Sequence, residues 1–167
     1  MGFLDEWKYC PRCGSEVTRD DERASCSSCG FVAYANSVPG AEAVCVDANG
    51  RVLLGRRRLP PSEGLWDLPG GFLHEGEHPE DALRREVEEE TGRVPEPLEF
   101  LGMWNEPYDG RVVLCLTWLA RLDADVQAGD DLAELRWFSR DEIPWEELAF
   151  THYAPALLFA FERQQHA

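Results

Sequence analysis

The chain has 167 residues, is 44% hydrophobic and carries a net charge of −16. That length suits one ordinary domain with a small companion, and that apolar share supports a real core, which excludes a disordered chain. No apolar run approaches the roughly 18 residues that span a bilayer, and no basic stripe of the kind that binds a nucleic acid duplex is visible. Neither a membrane nor a nucleic acid is therefore expected as a partner.

The segment Met1-Gly2-Phe3-Leu4-Asp5-Glu6-Trp7 lacks a basic stretch followed by an apolar one. It does not read as a secretory signal, and a cytoplasmic location is expected. Lys8 is the sole lysine, so nearly all positive charge is arginine. Codon bias with a solvated acidic surface is the plain reading, and life at high salt is the sharper one. A thermal midpoint that does not rise with added KCl argues against the second.

In chain order, the first element is anchored by cysteine. Cys10, Cys13, Cys26 and Cys29 form two Cys-x-x-Cys pairs separated by twelve residues. Zinc takes four thiolates in a tetrahedron, and each pair presents two of them. Gly14 and Gly30 follow the pairs, where a tight turn needs backbone freedom. Two redox motifs in so short a segment lack a surrounding fold, so a structural zinc ribbon over 1–36 is the reading. Cys45 and Cys115 stand alone in apolar runs as reduced core residues.

The stretch 37–40 reads as a connector to a second domain over 37–167. Ala43-Val44-Cys45-Val46 is a buried strand, Asn49-Gly50 marks a hairpin, and 51–57 returns. A helix is predicted over Pro79–Thr91. Pro79 suits its first position, Glu80 and Asp81 its positive N-terminus, Gly92 its stop, and Ala82, Leu83 and Val87 its core face. His78 makes a poor N-cap. Strands are predicted over 98–104, 111–122 and 134–138, with a turn at Tyr108-Asp109-Gly110-Arg111 and a closing helix over 151–163. Strands mixed with two helices indicate an α+β fold with a mixed sheet between helices.

The helix concentrates carboxylates. Residues three and four apart share a face, so Glu86 lies beside Glu89 and Glu90 at a cost of about 0.2–0.5 kcal/mol per like-charged pair. A divalent cation removes that repulsion, and hard oxygen ligands suit Mg²⁺ or Mn²⁺.

With Gly71 and Glu77 upstream and Arg85 before Glu86, the segment resembles the Nudix box, Gly-x5-Glu-x7-Arg-Glu-U-x-Glu-Glu-x-Gly-U, where U is bulky and apolar. The last U is Arg93 here, with Val94 beside it to take the packing role. Gly64 to Gly71 resembles the family's lead-in and Leu135 to Pro144 its closing segment. The resemblance implies a Nudix α/β/α sandwich behind a zinc ribbon. It also implies Mg²⁺ at Glu86, Glu89 and Glu90 with a carbonyl at Gly70 or Gly71. Arg85 would orient Glu89, and Glu77 would support the loop. The general base is left open among Glu86, Glu89, Asp131 and Glu134.

A ribbon followed by such a domain resembles a subgroup that hydrolyses NADH, ADP-ribose or FAD. The motif typical of NADH pyrophosphatases is absent from 93–104. Pro107 stands fifteen positions after Gly92, as in ADP-ribose hydrolases. Tyr108 sits where dinucleoside polyphosphate hydrolases carry a tyrosine, and the tail Trp145 to Phe150 resembles the ADP-ribose/FAD subgroup. Trp104, Tyr108 and Phe150 are candidates to stack on a base, each with a plain core role as the alternative. The implied substrate order is ADP-ribose, FAD, then NADH or a dinucleoside polyphosphate. A non-catalytic nucleotide sensor is the rival class. Relatives of this kind are commonly homodimers, so a homodimer is expected.

Overall fold

A computed structural model describes residues 4–122 and 125–164. The chain forms two compact units, one of Met1–Val38 with Pro107–Val113, the other of Pro39–Glu106 with Leu114–Ala167. Among the described residues no helix is long and apolar enough to cross a membrane.

The first unit holds a small antiparallel sheet of β1 (Thr18–Arg19), β2 (Arg23–Ser25) and β3 (Val32–Tyr34). Two turns flank it with matching hydrogen bonds: Gly14 N–H donates to Cys10 O at 2.9 Å, and Gly30 N–H to Cys26 O at 3.0 Å. Both glycines have φ above +70°, a region closed to most side chains. The acidic run at 20–22 is partly structural, because Asp20 Oδ1 accepts the N–H groups of Glu22 and Arg23 and shapes the β1–β2 turn.

The second unit is built on β4 (Val38–Val46), β5 (Val52–Arg57), β6 (Trp66–Asp67), β7 (Gly70–Phe72), β8 (Glu96–Tyr108), β9 (Arg111–Arg121) and β10 (Leu132–Phe138). The sheet order is β10-β5-β4-β9-β8, with β6 added to β5 and β7 to β4. Leu122 N–H donates to Val46 O, so the C-terminal ends of β4 and β9 lie together in a mixed sheet. Its helices are α1 (Pro79–Thr91) and α2 (Tyr153–Gln164).

Alternation along the strands divides the core in two. Ala41, Ala43 and Cys45 of β4, Leu53 of β5, and Trp118 and Ala120 of β9 pack with Ala82, Leu83 and Val87 of α1. Val44, Val46, Val52, Leu54 and Leu119, from the opposite face, pack with Ala156, Leu157, Ala160 and Phe161 of α2. A sheet buried on both sides by helices is the expected three-layer sandwich.

One expectation is corrected. Residues 38–40, read as a connector, open β4. The reason is a partner that lies 32 residues away in sequence: Gly40 pairs with Phe72, Ala41 with Gly71 and Glu42 with Gly70. Pro39 takes part through its carbonyl, which accepts Leu73 N–H at 3.2 Å. The hairpins fall where Asn49-Gly50 and Asp109-Gly110 place them, the second with Asp109 and Gly110 both at positive φ.

Candidate active site

α1 forms over the predicted residues because both ends are capped. His78 Nδ1 accepts Glu80 N–H at 3.3 Å, so this histidine caps the helix despite its weak propensity. Gly92, at φ 69°, donates to Glu88 O at 2.8 Å. Leu83, Val87 and Thr91 at four-residue spacing fix the buried face, and the opposite face presents the carboxylates.

Glu86 and Glu90 meet the backbone of the preceding loop. Gly70 N–H donates to Glu90 Oε2 at 3.0 Å. A Cβ on Gly71 would stand 2.5 Å from the Glu86 carboxylate, which is closer than such atoms approach. Gly71→Ala is therefore expected to displace Glu86 and cost activity while leaving the melting temperature close to the parent's. Parent-like turnover in that variant would show that the close approach is incidental.

Burial pushes the Glu90 carboxyl up to about 8, and the charges of Asp67, Glu86 and Asp131 add to it against the Gly70 N–H. Glu86 and Glu90, both set against the Gly70–Gly71 backbone, could hold a hard divalent cation. Glu89, 61% exposed at its side chain, stands at the rim.

Arg85, expected to orient Glu89, pairs with it at the longest of its ion-pair distances and engages Glu77 and Glu86 more closely. Its Nε and Nη2 each donate to Glu77 at 2.9 Å and its Nη1 to Glu86 at 2.6 Å, whereas Glu89 is at 3.6 Å. The fork matches the planar Glu77 carboxylate, which a neighbouring chain reversal brings opposite it. Arg85 and the His74 N–H hold Glu77 down to about 2. Arg85 Nη2 also donates to Phe72 O at 3.1 Å, tying the loop to the helix.

The later loop reaches the same helix. Gln127 N–H donates to Thr91 O and Gly129 N–H to Glu90 O, each at 2.9 Å. A Cβ on Gly129 would sit 2.5 Å from Glu89 O, so only glycine fits there. Asp131 lies two residues beyond this contact. Glu134, in β10, instead pairs with Arg56 at 3.3 Å in an exposed position.

Trp104 in β8 and Phe150 before α2 are partly buried against the α2-side core, and both stack with the His152 ring, at centroid distances of 5.9 and 6.4 Å. Pro107 and Tyr108 end β8 and belong to the first unit.

Sequence reasoning passed over a buried polar cluster. His152 Nε2 lies 2.8 Å from Glu42 Oε1, and its Nδ1 lies 2.9 Å from Glu106 Oε2. Thr117 donates to Glu42 and Thr151 to Glu106. Next to it Asp67 accepts from Tyr153 and Arg57. The available signal was a charged residue inside an apolar strand: Glu42 within Ala41 to Val46, and Asp67 between Trp66 and Leu68.

Two carboxylate acceptors make both imidazole nitrogens donors. Burial alone would depress His152, yet Cys115, Glu42 and Glu106 overcome it and push the group up to about 11. Its contribution to stability is complete below the unfolded value of 6.5, declines above it and is gone once pH passes about 11. Urea unfolding at about pH 6 and pH 9 is expected to show a larger loss in the parent than in His152→Gln, and equal losses would contradict the bridge.

In the first unit the four cysteine sulfurs lie within 4.8 Å of one another, with Cys10–Cys29 and Cys13–Cys26 at 3.6 Å. A disulfide needs about 2 Å, whereas tetrahedral zinc–thiolate bonds of about 2.3 Å place sulfurs near this separation. Hydrogen bonds from Ser15 bring the Cys13 thiol down to about 6, while burial and the neighbouring thiols push Cys29 up to about 12, so the four do not ionise alike without a cation. The cluster could hold a zinc ion.

Comparison with known proteins agrees with this geometry. A model described as "NUDIX domain" matches residues 37–158. An "ADP-ribose pyrophosphatase" of Methanocaldococcus jannaschii is 34% identical over 64% of this chain and 64% of its own. An "NAD-capped RNA hydrolase NudC" of Haemophilus influenzae is 30% identical over 87% of this chain and 56% of its own. The chain thus spans about 60% of the length of these curated relatives. The crystal structure of a NUDIX hydrolase from Nitrosomonas europaea superposes with a TM-score of 0.82 at 28% identity, covering 96% of this chain and 93% of that one. The NUDIX domain of Shewanella oneidensis NrtR, complexed with ADP ribose, superposes with a TM-score of 0.68 at 25% identity over 77% of this chain and 89% of that one. With its carboxylate helix seated on a double-glycine loop and a family model covering most of its length, the chain belongs to the NUDIX domain family.

Proposed function

We propose that this protein hydrolyses the diphosphate of a nucleoside diphosphate conjugate in a Mg²⁺- or Mn²⁺-dependent reaction, with ADP-ribose as the first substrate and FAD the second, releasing AMP. The observation that carries this is the convergence of Glu86 and Glu90 on the Gly70–Gly71 backbone. Glu86, Glu90 and that backbone would hold a magnesium ion, which would neutralise the diphosphate and supply a nucleophilic water near neutral pH. Glu86 and Glu90 bind it, Glu89 completes the rim, and Arg85 holds Glu86 and the loop in place. Asp131, carried to the helix by the Gly129 contact, is the best-placed general base among the later residues. Glu134 is the poorer candidate because Arg56 already engages it.

ADP-ribose is placed first because one relative is named for its hydrolysis and another NUDIX domain is complexed with it. A second reading, the NAD-capped end of an RNA, draws on the relative whose match extends over 87% of the chain. We further infer that Cys10, Cys13, Cys26 and Cys29 hold a structural zinc and that the protein works inside the cell, where thiols stay reduced.

The test is to incubate the protein with ADP-ribose, FAD, NADH, a dinucleoside polyphosphate and an NAD-capped RNA, with and without Mg²⁺. AMP released from ADP-ribose only with Mg²⁺ is the expected result. Tight ADP-ribose binding without turnover would replace the enzyme with a sensor.

A further inference from the structure

The buried cluster behind the site is aimed at the loop that faces the carboxylates. His152 and Tyr153 are consecutive residues at the head of α2, 4% and 3% exposed, so neither touches a substrate. His152 binds Glu42, and Glu42 is the register partner of Gly70. The packing between them is tight: a Cβ on Gly70 would lie 2.5 Å from Glu42 Cα. Tyr153 donates to Asp67, three residues before Gly70. Gly70 then donates to Glu90.

The same cluster offers Glu42, Cys115 and His152 within metal-ligand distance of one another. It does not read as a second metal site. Both imidazole nitrogens point at carboxylates at hydrogen-bond distance, 2.8 and 2.9 Å, and an imidazolium has no lone pair to give an ion.

Protonation of His152 stabilises the cluster once it is buried, but stability alone does not account for burying it. Buried charges lose hydration on folding, and an apolar replacement of similar volume is often neutral or stabilising. What such a cluster supplies is fixed geometry, because each bond has one donor and one acceptor direction. Here the fixed objects are the strand that pairs with Gly70 and the turn that leads into it.

We propose that His152 and Tyr153 are positioning residues for the metal-facing backbone at Gly70–Gly71, acting through Glu42 and Asp67. This rests on the reading of Glu86, Glu90 and that backbone as the cation site. Side chains that orient a metal's ligands commonly change affinity by about 10–100-fold when removed.

The test uses full-length protein and Mn²⁺ alone, with free Mn²⁺ read by electron paramagnetic resonance, followed by turnover of ADP-ribose. His152→Gln, Tyr153→Phe and Thr117→Val each remove a link. The last two are near-isosteric and keep the test open if the first does not fold. Leu157→Ala, a core cut in α2 away from the cluster, is the control for lost stability. The expected result is Mn²⁺ binding weakened about tenfold in the link variants and unchanged in Leu157→Ala, with kcat lowered at fixed Mn²⁺ and the KM for ADP-ribose held within about twofold. Unchanged Mn²⁺ affinity in folded link variants overturns the positioning role alone. No Mn²⁺ binding by the parent overturns the cation site and the positioning role together.

Discussion

Glu90→Gln is expected to lower Mg²⁺-dependent turnover by about 100-fold or more, since even residues that only orient a metal's ligands matter about 10–100-fold. The substitution keeps the side chain's shape and its acceptor for the Gly70 N–H, so the fold is expected to survive. Stability moves in the opposite direction to activity. The Glu90 carboxyl is held up to about 8 by burial and by Asp67, so without metal the folded state is penalised for its charge. For an acid raised in this way the penalty is absent at low pH. It grows as pH rises through the unfolded value of 4.5 and is complete above about 8. In metal-free buffer Glu90→Gln is therefore expected to melt higher than the parent at about pH 8 and equally at about pH 4. Calorimetry at the two pH values, beside a turnover assay, checks both parts. Parent-like turnover removes Glu90 from the cation site, and a lower melting temperature at pH 8 removes the account of its charge.

Much of this site could be read directly from spacing because its signals are local. The helix over Pro79–Thr91 announces itself through Pro79, its acidic first turn and Gly92, and the cysteine pairs through their two-residue gaps. The parts that stayed hidden depend on distant partners. Residues 38–40 look like a connector until β7 pairs with them. Glu42 and His152 are separated by 110 residues, and neither carries a motif, so their contact exists only once α2 has packed on the sheet. Arg85 illustrates an intermediate case. Helical spacing correctly puts Glu89 one turn away, but the stronger bidentate partner, Glu77, comes from a loop whose path spacing alone does not show. Asp131 and Glu134 are similar in sequence. They part only because Gly129 presses against the helix while Arg56 engages Glu134.

Cys26→Ser, or removal of zinc by a chelator, is expected to unfold residues 4–38 while leaving α1 and the sheet intact. Among the described residues of that segment only Leu4, Cys10, Ala24 and Cys26 are buried apolar residues, and two of these are the proposed ligands. Tyr9 and Tyr34 are 63% and 57% exposed, and Trp7 and Phe31 are only partly buried, so no aromatic residue of the described segment is fully buried. Strands of two and three residues add few backbone hydrogen bonds. Ordering a residue costs about 1–2 kcal/mol of backbone entropy, which this burial does not offset, whereas structural zinc in such small folds binds with about 10–16 kcal/mol. A zinc ion held by the four thiolates would therefore dominate the stability of this segment. Hydrogen exchange followed residue by residue should show protection lost from Thr18 to Tyr34 in the variant, with the amides of Leu83 and Val87 still slow. Retained protection in metal-free protein would mean that the four thiols pack without an ion. Loss of protection at Leu83 and Val87 as well would mean that the zinc also stabilises the catalytic unit.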